Sequence, residues 1–497
     1  MNKKVELVFI PTPGVGHLVS TVELAKLLVH RHQDLSITVL IMTLPSDTKV
    51  NAYLDSLSAP SRINFVHLPN DHVSLPGSNP RKFFPSFIES HKPHVKQTAS
   101  KLLHSQSASD DSPRLAGFVL DMFCTYMIDV ADELGLPSYI FFTSSAASLG
   151  LTFHAQSLYD ELNKHTAELK DSDTELKDSD TELKIPTLVN PIPAKIMPSL
   201  YWEKDWSMIL LEQSRRFRRV KGVVVNSFAE LECYAIKSIY NGDTNIPPVY
   251  PVGPILNLQG DGIDHGSGGY TTKLEIMEWL DDQPPSSVVF LCFGSMGSFN
   301  EDQVKEIACA LEQSGHRFLW SLRQPPPKGQ FATPSDYTNP TDVLPKGFLD
   351  RTVKIGKVIG WAPQVSILAH KAIGGFVSHC GWNSTLESVW FDVPIATWPI
   401  GAEQQLNAFE MVIELGLAVE IKMDYRKDYS GENQMIVSAG EIERGIRKLM
   451  ENDNKTRNKL KEMNEKSRKA MMEGGSSFAS LGCFMDDVIS NLDVHKN

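Results

Sequence analysis

Cysteine is scarce in this chain and is never arranged to build anything. Cys124, Cys233, Cys292, Cys309, Cys380 and Cys483 are scattered over 497 residues without one Cys-x-x-Cys pair. That excludes a zinc ribbon and a disulfide framework. Most stand in apolar runs, where buried free thiols are expected, so a reducing, cytoplasmic setting is expected too. Positive charge is also short: 48 Lys and Arg against 60 Asp and Glu leave a net charge of −12. Nucleic acids and anionic membranes require a basic face, so neither is an expected partner. No uninterrupted apolar run approaches the roughly 18 residues of a membrane span. The run Val5–Ile10 is broken by Glu6 and is too short for a secretory leader. What is present is ordinary for a globular protein, with 41% apolar and 22% charged residues. The length suggests two to four domains of about 100–200 residues each.

Read in order, Val5–Ile10 is a strand, Pro11–His17 a loop rich in breakers, and Leu18–His30 a helix by its apolar spacing. A dinucleotide fingerprint is not complete here, because its third glycine falls on Val19. His17 stands where the loop meets the helix. It reads either as a solvent-facing helix-start histidine or as a general base, since imidazole titrates near neutrality. A base of this kind needs an orienting carboxylate. Asp121, at the carboxyl end of the apolar run Leu115–Leu120, suits that task, although an Asp there also serves as a simple turn residue. Met122, Phe123 and Tyr126 follow, and either line an apolar pocket or pack in the core. Trp202 either borders that pocket or belongs to an ordinary packed surface. Strand and helix signals alternate, as in a doubly wound parallel domain.

Residues 171–177 and 178–184 are the same seven amino acids, Asp-Ser-Asp-Thr-Glu-Leu-Lys. Two copies are too few for a solenoid. The polar composition predicts a surface insertion with no chemistry. Prolines 247, 248, 251 and 254, then glycines from 260 to 269, mark a linker over 246–270. A domain of residues 1–245 precedes it and one of 271–476 follows, with a last helical stretch over 477–497. The second domain opens with an apolar strand and Gly294-Ser295-Met296-Gly297-Ser298 ahead of a helix, a layout that suits phosphate.

The most informative stretch runs from Trp361 to Gln404. Two short strands each deliver a polar turn and a helix start: His379-Cys380-Gly381-Trp382-Asn383-Ser384 after the first, Glu403-Gln404 after the second. Helix N-termini past the carboxyl ends of parallel strands favour phosphate and are where such sheets bind ligands. Ser384-x-x-Glu387 also reads as a capping box.

This 44-residue stretch resembles the donor box of the plant family 1 UDP-glycosyltransferases in its Trp-Ala-Pro-Gln, His-Cys-Gly-Trp-Asn-Ser, following Glu and closing Glu-Gln. The glycine loops at 14–16 and 294–298 extend the resemblance over nearly the whole chain. It implies an α/β GT-B fold: two Rossmann-like doubly wound domains facing a cleft, the first for the acceptor and the second for UDP-sugar. The C-terminal helix then packs back on the first domain. It implies that His17 is the base and Asp121 its partner. Trp361 stacks on uracil, Ala362 and Gln364 meet base and ribose, and Glu387 binds the ribose hydroxyls. Gly381, Trp382 and the polar His379, Asn383 and Ser384 surround the diphosphate with Ser295. Glu403 and Gln404 meet the sugar, and Thr143 meets the sugar or a phosphate.

The expected activity is inverting transfer of glucose from UDP-glucose to a hydroxyl of a phenolic, flavonoid-like plant compound. The expected state is a monomer with no cofactor and no metal. Gln404 favours glucose, since relatives preferring galactose often carry His there. Two departures stand out: Asp392 replaces a common Gly, and Gly401 a common aromatic. The rivals are a glycoside hydrolase, which needs two carboxylates flanking a sugar, and a non-catalytic UDP-sugar sensor. UDP release in the presence of an acceptor separates all three.

Overall fold

Runs such as Val5–Ile10 and Val288–Cys292 are buried along their whole length, which is how strands covered on both faces by helices read. Even Glu6 is buried, and accepts a hydrogen bond from Thr38 of the neighbouring strand at 2.7 Å. The computed structural model describes residues 4–44, 49–57, 60–70, 80–106, 112–162, 170–171, 174–242, 245–260, 272–327, 333–427, 434–451 and 454–494. Residues 172–173 of the repeat and most of the glycine-rich stretch lie outside them. Among the described residues no helix is long and apolar enough to cross a membrane.

The chain divides into two compact units. The first comprises Met1–Asn163, Asp205–Asn257 and Lys469–Asn497, the second Lys164–Lys204 and Leu258–Arg468. In the first, seven strands form one sheet: β1 (Val5–Ile10), β2 (Leu35–Ile41), β3 (Ile63–His67), β4 (Arg114–Asp121), β5 (Ser138–Phe142), β6 (Gly222–Val225) and β7 (Val249–Pro251). Their spatial order is 3-2-1-4-5-6-7, every pairing parallel. In the second, β8 (Val288–Cys292), β9 (Arg317–Ser321), β10 (Gly356–Ile359), β11 (Ile373–Ser378), β12 (Ile395–Thr397) and β13 (Ala418–Glu420) run in the order 10-9-8-11-12-13, again all parallel. Both are doubly wound sheets. In each, the order reverses beside the first strand, between β1 and β4 and between β8 and β11. The loops leaving those pairs diverge and open a crevice there.

The helices that concern the site are α1 (Val15–Arg31), α2 (Glu301–Ser314), α3 (Gln364–Leu368), α4 (Trp382–Phe391) and α5 (Gln404–Phe409), with α6 (Ser476–Val494) at the end of the chain. Helix α6 packs on the first sheet. The Phe484 ring meets Tyr139 of β5 and Tyr250 of β7 edge-on at 5.3 and 5.6 Å, and Ser477 donates to the Gly253 carbonyl at 2.5 Å.

The units are bounded differently from the ranges read off the sequence. Residues 249–251, inside the supposed linker, are β7. Proline is tolerated there because β7 is the edge strand. Residues 164–204 cluster with the second unit, not the first, and the first unit takes back the chain from Lys469.

The repeat is not merely polar surface. Leu176 is buried, and Glu182–Leu183 pairs antiparallel with Ile192–Pro193. The carbonyls of Thr181 and Ser179 accept from the N–H groups of Ala194 and Lys195 at 2.9 and 3.1 Å. Arg426 donates to the carbonyls of Lys177, Lys195 and Met197 at 3.3, 2.8 and 3.0 Å. Two leucines seven residues apart form no helical stripe, so this anchoring leaves little trace in a composition reading. Because residues 168–177 repeat 175–184 residue for residue, deleting Asp178–Lys184 refills every docking position with an identical side chain. That deletion is expected to leave the melting midpoint within about 2 °C, whereas Leu176→Asp, which buries a carboxylate, lowers it by several degrees. A large drop for the deletion in a thermal melt shows that the refilling does not occur.

Candidate active site

The first crevice is lined by the ends of β1, β4 and β5. Gly14, at φ 119°, lets the chain turn from β1 into α1, a conformation L-residues rarely adopt. His17 follows in the first turn of α1, inside the helix rather than ahead of it. Asp121 closes β4 and is buried. The His17 Nδ1 lies 2.8 Å from Asp121 Oδ2. The other carboxylate oxygen accepts from the Thr12 hydroxyl and from the Phe123 N–H, the latter at 3.1 Å. Three hydrogen bonds therefore fix the carboxylate, and the carboxylate fixes the ring. With Nδ1 donating to Asp121, the basic lone pair of His17 sits on Nε2, and a third of the side chain stays exposed. This is the chemistry of an oriented general base.

Thr143, just past β5, has its hydroxyl 3.4 Å from His17 Nδ1 and donates to the Met122 sulfur at 3.6 Å. The Phe123 ring lies edge-on to His17 at 5.6 Å. Phe123 is therefore adjacent to His17, and Met122 is joined to it through Thr143. The Tyr126 ring is flanked by Arg216 at 5.0 Å and Lys92 at 5.7 Å. Trp202 is buried in the second unit. Thr12 is the residue missed from sequence. Its signal is a hydroxyl inside the breaker-rich loop after β1.

The second crevice centres on His379, just past β11. Its ring is wedged against two glycines. A Cβ on Gly294, from the loop after β8, or on Gly381 would lie 2.5 Å from His379 Nε2. Gly294 is also left-handed, at φ 72°. Burial holds the His379 imidazole down to about 4, so it meets a ligand as a neutral hydrogen-bonding group. Its buried Nδ1 has no partner among the described residues. Ser295 is exposed on the same loop.

Helix α4 begins at Trp382 with Gly381 as its N-cap, and no side chain caps it. The Ser384-x-x-Glu387 pattern is therefore not a capping box. Those residues lie one turn into the helix, where both accept from Gln364 Nε2, Ser384 at 2.8 Å and Glu387 at 2.7 Å. Asn383 is half-buried in the first turn, while Trp382 is buried. First-turn N–H groups lack intrahelical acceptors and favour anions.

Beyond β10, the Trp361 ring carries Arg323 over one face at 5.0 Å, itself paired with Asp336 at 2.9 Å. Ala362 beside it is buried. Past β12, Gln404 Oε1 accepts from the N–H groups of Ile400 and Gly401 at 2.8 and 3.0 Å. This fixes the amide so that its NH₂ is the end available for a ligand. Glu403 precedes it, and Asn407 ties α5 to the box through the Cys380 carbonyl at 2.9 Å. Asp392 sits at φ 58°, the left-handed conformation in which glycine is easiest. Among the described residues no group of three or more His, Cys, Asp or Glu side chains could hold a metal ion.

Comparison with known proteins agrees with this geometry. The family described as UDP-glucoronosyl and UDP-glucosyl transferase matches residues 244–429. The putative UDP-glucose flavonoid 3-O-glucosyltransferase 3 of Fragaria ananassa is 56% identical over 98% of this chain and 100% of its own length. Anthocyanidin 3-O-glucosyltransferase 1 of Manihot esculenta is also 56% identical, over 96% of this chain and 100% of its own. Among solved structures, a UGT transferase from Siraitia grosvenorii in complex with UDP superposes with a TM-score of 0.85 at 51% identity, covering 98% of this chain and 100% of that one. A Medicago truncatula UGT complexed with UDP-glucose gives 0.84 at 41%, covering 98% of each.

Glu387 yields a pH-dependent test. Burial pushes its carboxyl up to about 7 from 4.5, against the opposing hydrogen bond from Gln364. The folded chain thus holds this proton more tightly than the unfolded one. The stability it contributes is complete below about pH 4.5 and is lost as pH rises through 7, a change of about 3 kcal/mol. Glu387→Gln is expected to flatten that slope and to be the more stable form at pH 8 without ligand. Parallel pH–stability curves for wild type and variant contradict it.

Proposed function

This chain belongs to the UDP-glucoronosyl and UDP-glucosyl transferase family, and on that premise we propose that it moves glucose from UDP-glucose to a hydroxyl of a flavonoid-like phenol, with inversion. The observation that carries this reading is the His17–Asp121 pair at the reversal point of the first sheet, together with a donor box at the reversal point of the second. The architecture is GT-B, two Rossmann-like domains.

His17 Nε2 takes the proton from the acceptor hydroxyl. The oxygen forms its bond to the anomeric carbon from the side opposite UDP, as the bond from that carbon to the diphosphate oxygen breaks. UDP leaves with the electron pair. Asp121 stabilises His17 while it carries the proton. On the donor side Trp361 stacks on uracil beside Ala362, and Gln364 with Glu387 binds ribose. His379, Asn383, Ser384, Ser295 and the start of α4 at Gly381 and Trp382 donate to the diphosphate. Trp382 adds packing rather than an exposed contact, since it is buried. Glu403 accepts from sugar hydroxyls, Gln404 donates to them through its NH₂, and Thr143 reaches the sugar from its place beside His17. Preorganised donors of this kind offset the charge developing on the leaving group.

Met122 and Phe123 contribute apolar contacts to the acceptor. The relatives' names point to the 3-hydroxyl of flavonoids and anthocyanidins. All six cysteines are free, in keeping with the reducing, cytoplasmic setting proposed for this chain.

Incubating the protein with UDP-glucose and a flavonoid panel, and following UDP release and product mass, tests the whole reading. UDP release that needs no acceptor, or none at all, overturns it. His17→Ala is expected to lower turnover by about 10²–10⁴-fold while UDP still binds, and near-wild-type turnover refutes the base. With UDP-glucose, UDP-galactose and UDP-xylose at equal concentration, glucose transfer is expected to dominate, and a win for either rival removes the role given to Gln404. Because the diphosphate is met by hydrogen-bond donors rather than by a carboxylate-held ion, the initial rate is expected to be the same in excess EDTA as with magnesium. Loss in EDTA that magnesium restores contradicts this.

A further inference from the structure

One short strap, residues 425–427, reaches the glycine loop of the second unit from beneath. Tyr425 is buried and lies edge-on to Trp398 at 5.8 Å and Phe299 at 6.2 Å. Phe293 meets Phe299 at 4.6 Å and Trp398 at 5.5 Å, so one aromatic cluster supports both ends of the segment from Phe293 to Phe299. Gln405 of α5 donates to the Tyr425 carbonyl at 3.0 Å. Arg426 is spent on the carbonyls of residues 177, 195 and 197. Lys427 turns the other way. Its Nζ donates to the Ser298 carbonyl at 2.7 Å and to the Ser298 hydroxyl at 3.0 Å, and its N–H donates to the Ile400 carbonyl at 2.9 Å.

We propose that Lys427 is a positioning residue for UDP-sugar: it holds the Gly294–Ser298 loop in the shape that receives the diphosphate. This rests on the reading of that loop as part of the donor site. The loop has little means of stiffening itself. Gly297 passes so close to the Phe293 carbonyl that a Cβ would lie 2.0 Å from it, so position 297 can carry no side chain, and those of Ser295 and Met296 are exposed. Its shape is set at the two ends. The Gly294 end rests on His379, and the Ser298 end, which is buried, is gripped by Lys427.

An ammonium is a costly way to fill half-buried space. Burial draws Lys427 down to about 8, and an aliphatic side chain of the same length would pack there without that cost. The hydrogen bonds to Ser298 are what offset it. Through its N–H bond to Ile400 the same residue also spans to the segment after β12, which carries Gln404. Lys427 therefore ties the diphosphate loop to the sugar loop without touching either ligand group.

The test uses the full chain as wild type, Lys427→Met and Lys427→Arg. UDP affinity is measured by calorimetry, and KM and kcat are measured for both substrates. Lys427→Met is expected to weaken UDP binding and to raise the KM for UDP-glucose by about tenfold. The acceptor KM should not change and kcat should stay within about threefold, with most of the loss recovered in Lys427→Arg. UDP affinity equal to wild type in Lys427→Met overturns the proposal. So does a loss of kcat with both KM values raised alike, which is what a merely structural lysine gives. If Lys427→Met does not fold, Ser298→Ala removes one of the two acceptors. It is expected to weaken UDP by about two- to threefold, and no change overturns the proposal. If the wild type itself fails to bind UDP, the donor-site reading falls and this inference falls with it. If wild type binds and the variants bind as well, the inference alone is wrong.

Discussion

Parallel strands cannot be joined by tight turns, so every connection must cross a face of the sheet. Where successive crossovers change face, the loops on either side part and no backbone fills the gap. Both units of this protein have that reversal beside their first strand, and the chemistry-bearing residues collect there in each. His17 and Asp121 flank β1 and β4 in one unit, and Gly294 and His379 flank β8 and β11 in the other. The same constraint on chain path thus places an imidazole against its carboxylate in one unit and a cradle of N–H groups in the other.

What the gaps hold differs in electrostatics. The first sets a buried carboxylate, made rigid by three donors, against an imidazole of which a third stays exposed. The second relies on groups that stay neutral or that donate through the main chain. The His379 ring fits only because two residues beside it lack side chains, and burial keeps it neutral. Glu387 is the cost of that design. A carboxyl placed where burial raises it to about 7 is strained without a ligand, in line with the general conflict between binding sites and stability.

Much of the site was legible because its signals are local. A breaker-rich loop after an apolar strand located His17, a strand-end acid located Asp121, and the 361–404 box carried its own spacing. The failures share a physical origin in contacts that local pattern does not encode. Ser384-x-x-Glu387 imitates a cap, but the helix starts at Trp382 because Gly381 can occupy the cap position without a side-chain bond, and Gln364, twenty residues away in sequence from Ser384, claims both side chains. Proline punctuation over 247–254 resembles a linker because an edge strand needs few donors, and β7 hides there. Thr12 and Lys427 were invisible for the same reason: each matters only through a partner that the fold supplies.

Helix α6 gives the first unit an unusual history. The ring of Phe484 covers Tyr139 and Tyr250, yet it is made only after the whole second unit has been synthesised. On the ribosome, the face of β5 and β7 that α6 covers stays open while some two hundred intervening residues, Leu258–Arg468, emerge and fold. Domains commonly complete in the order in which they are synthesised. Here the order inverts: the sheet begun first is the one finished last, and its uncovered aromatic edge is the surface a nascent chain would have to shield.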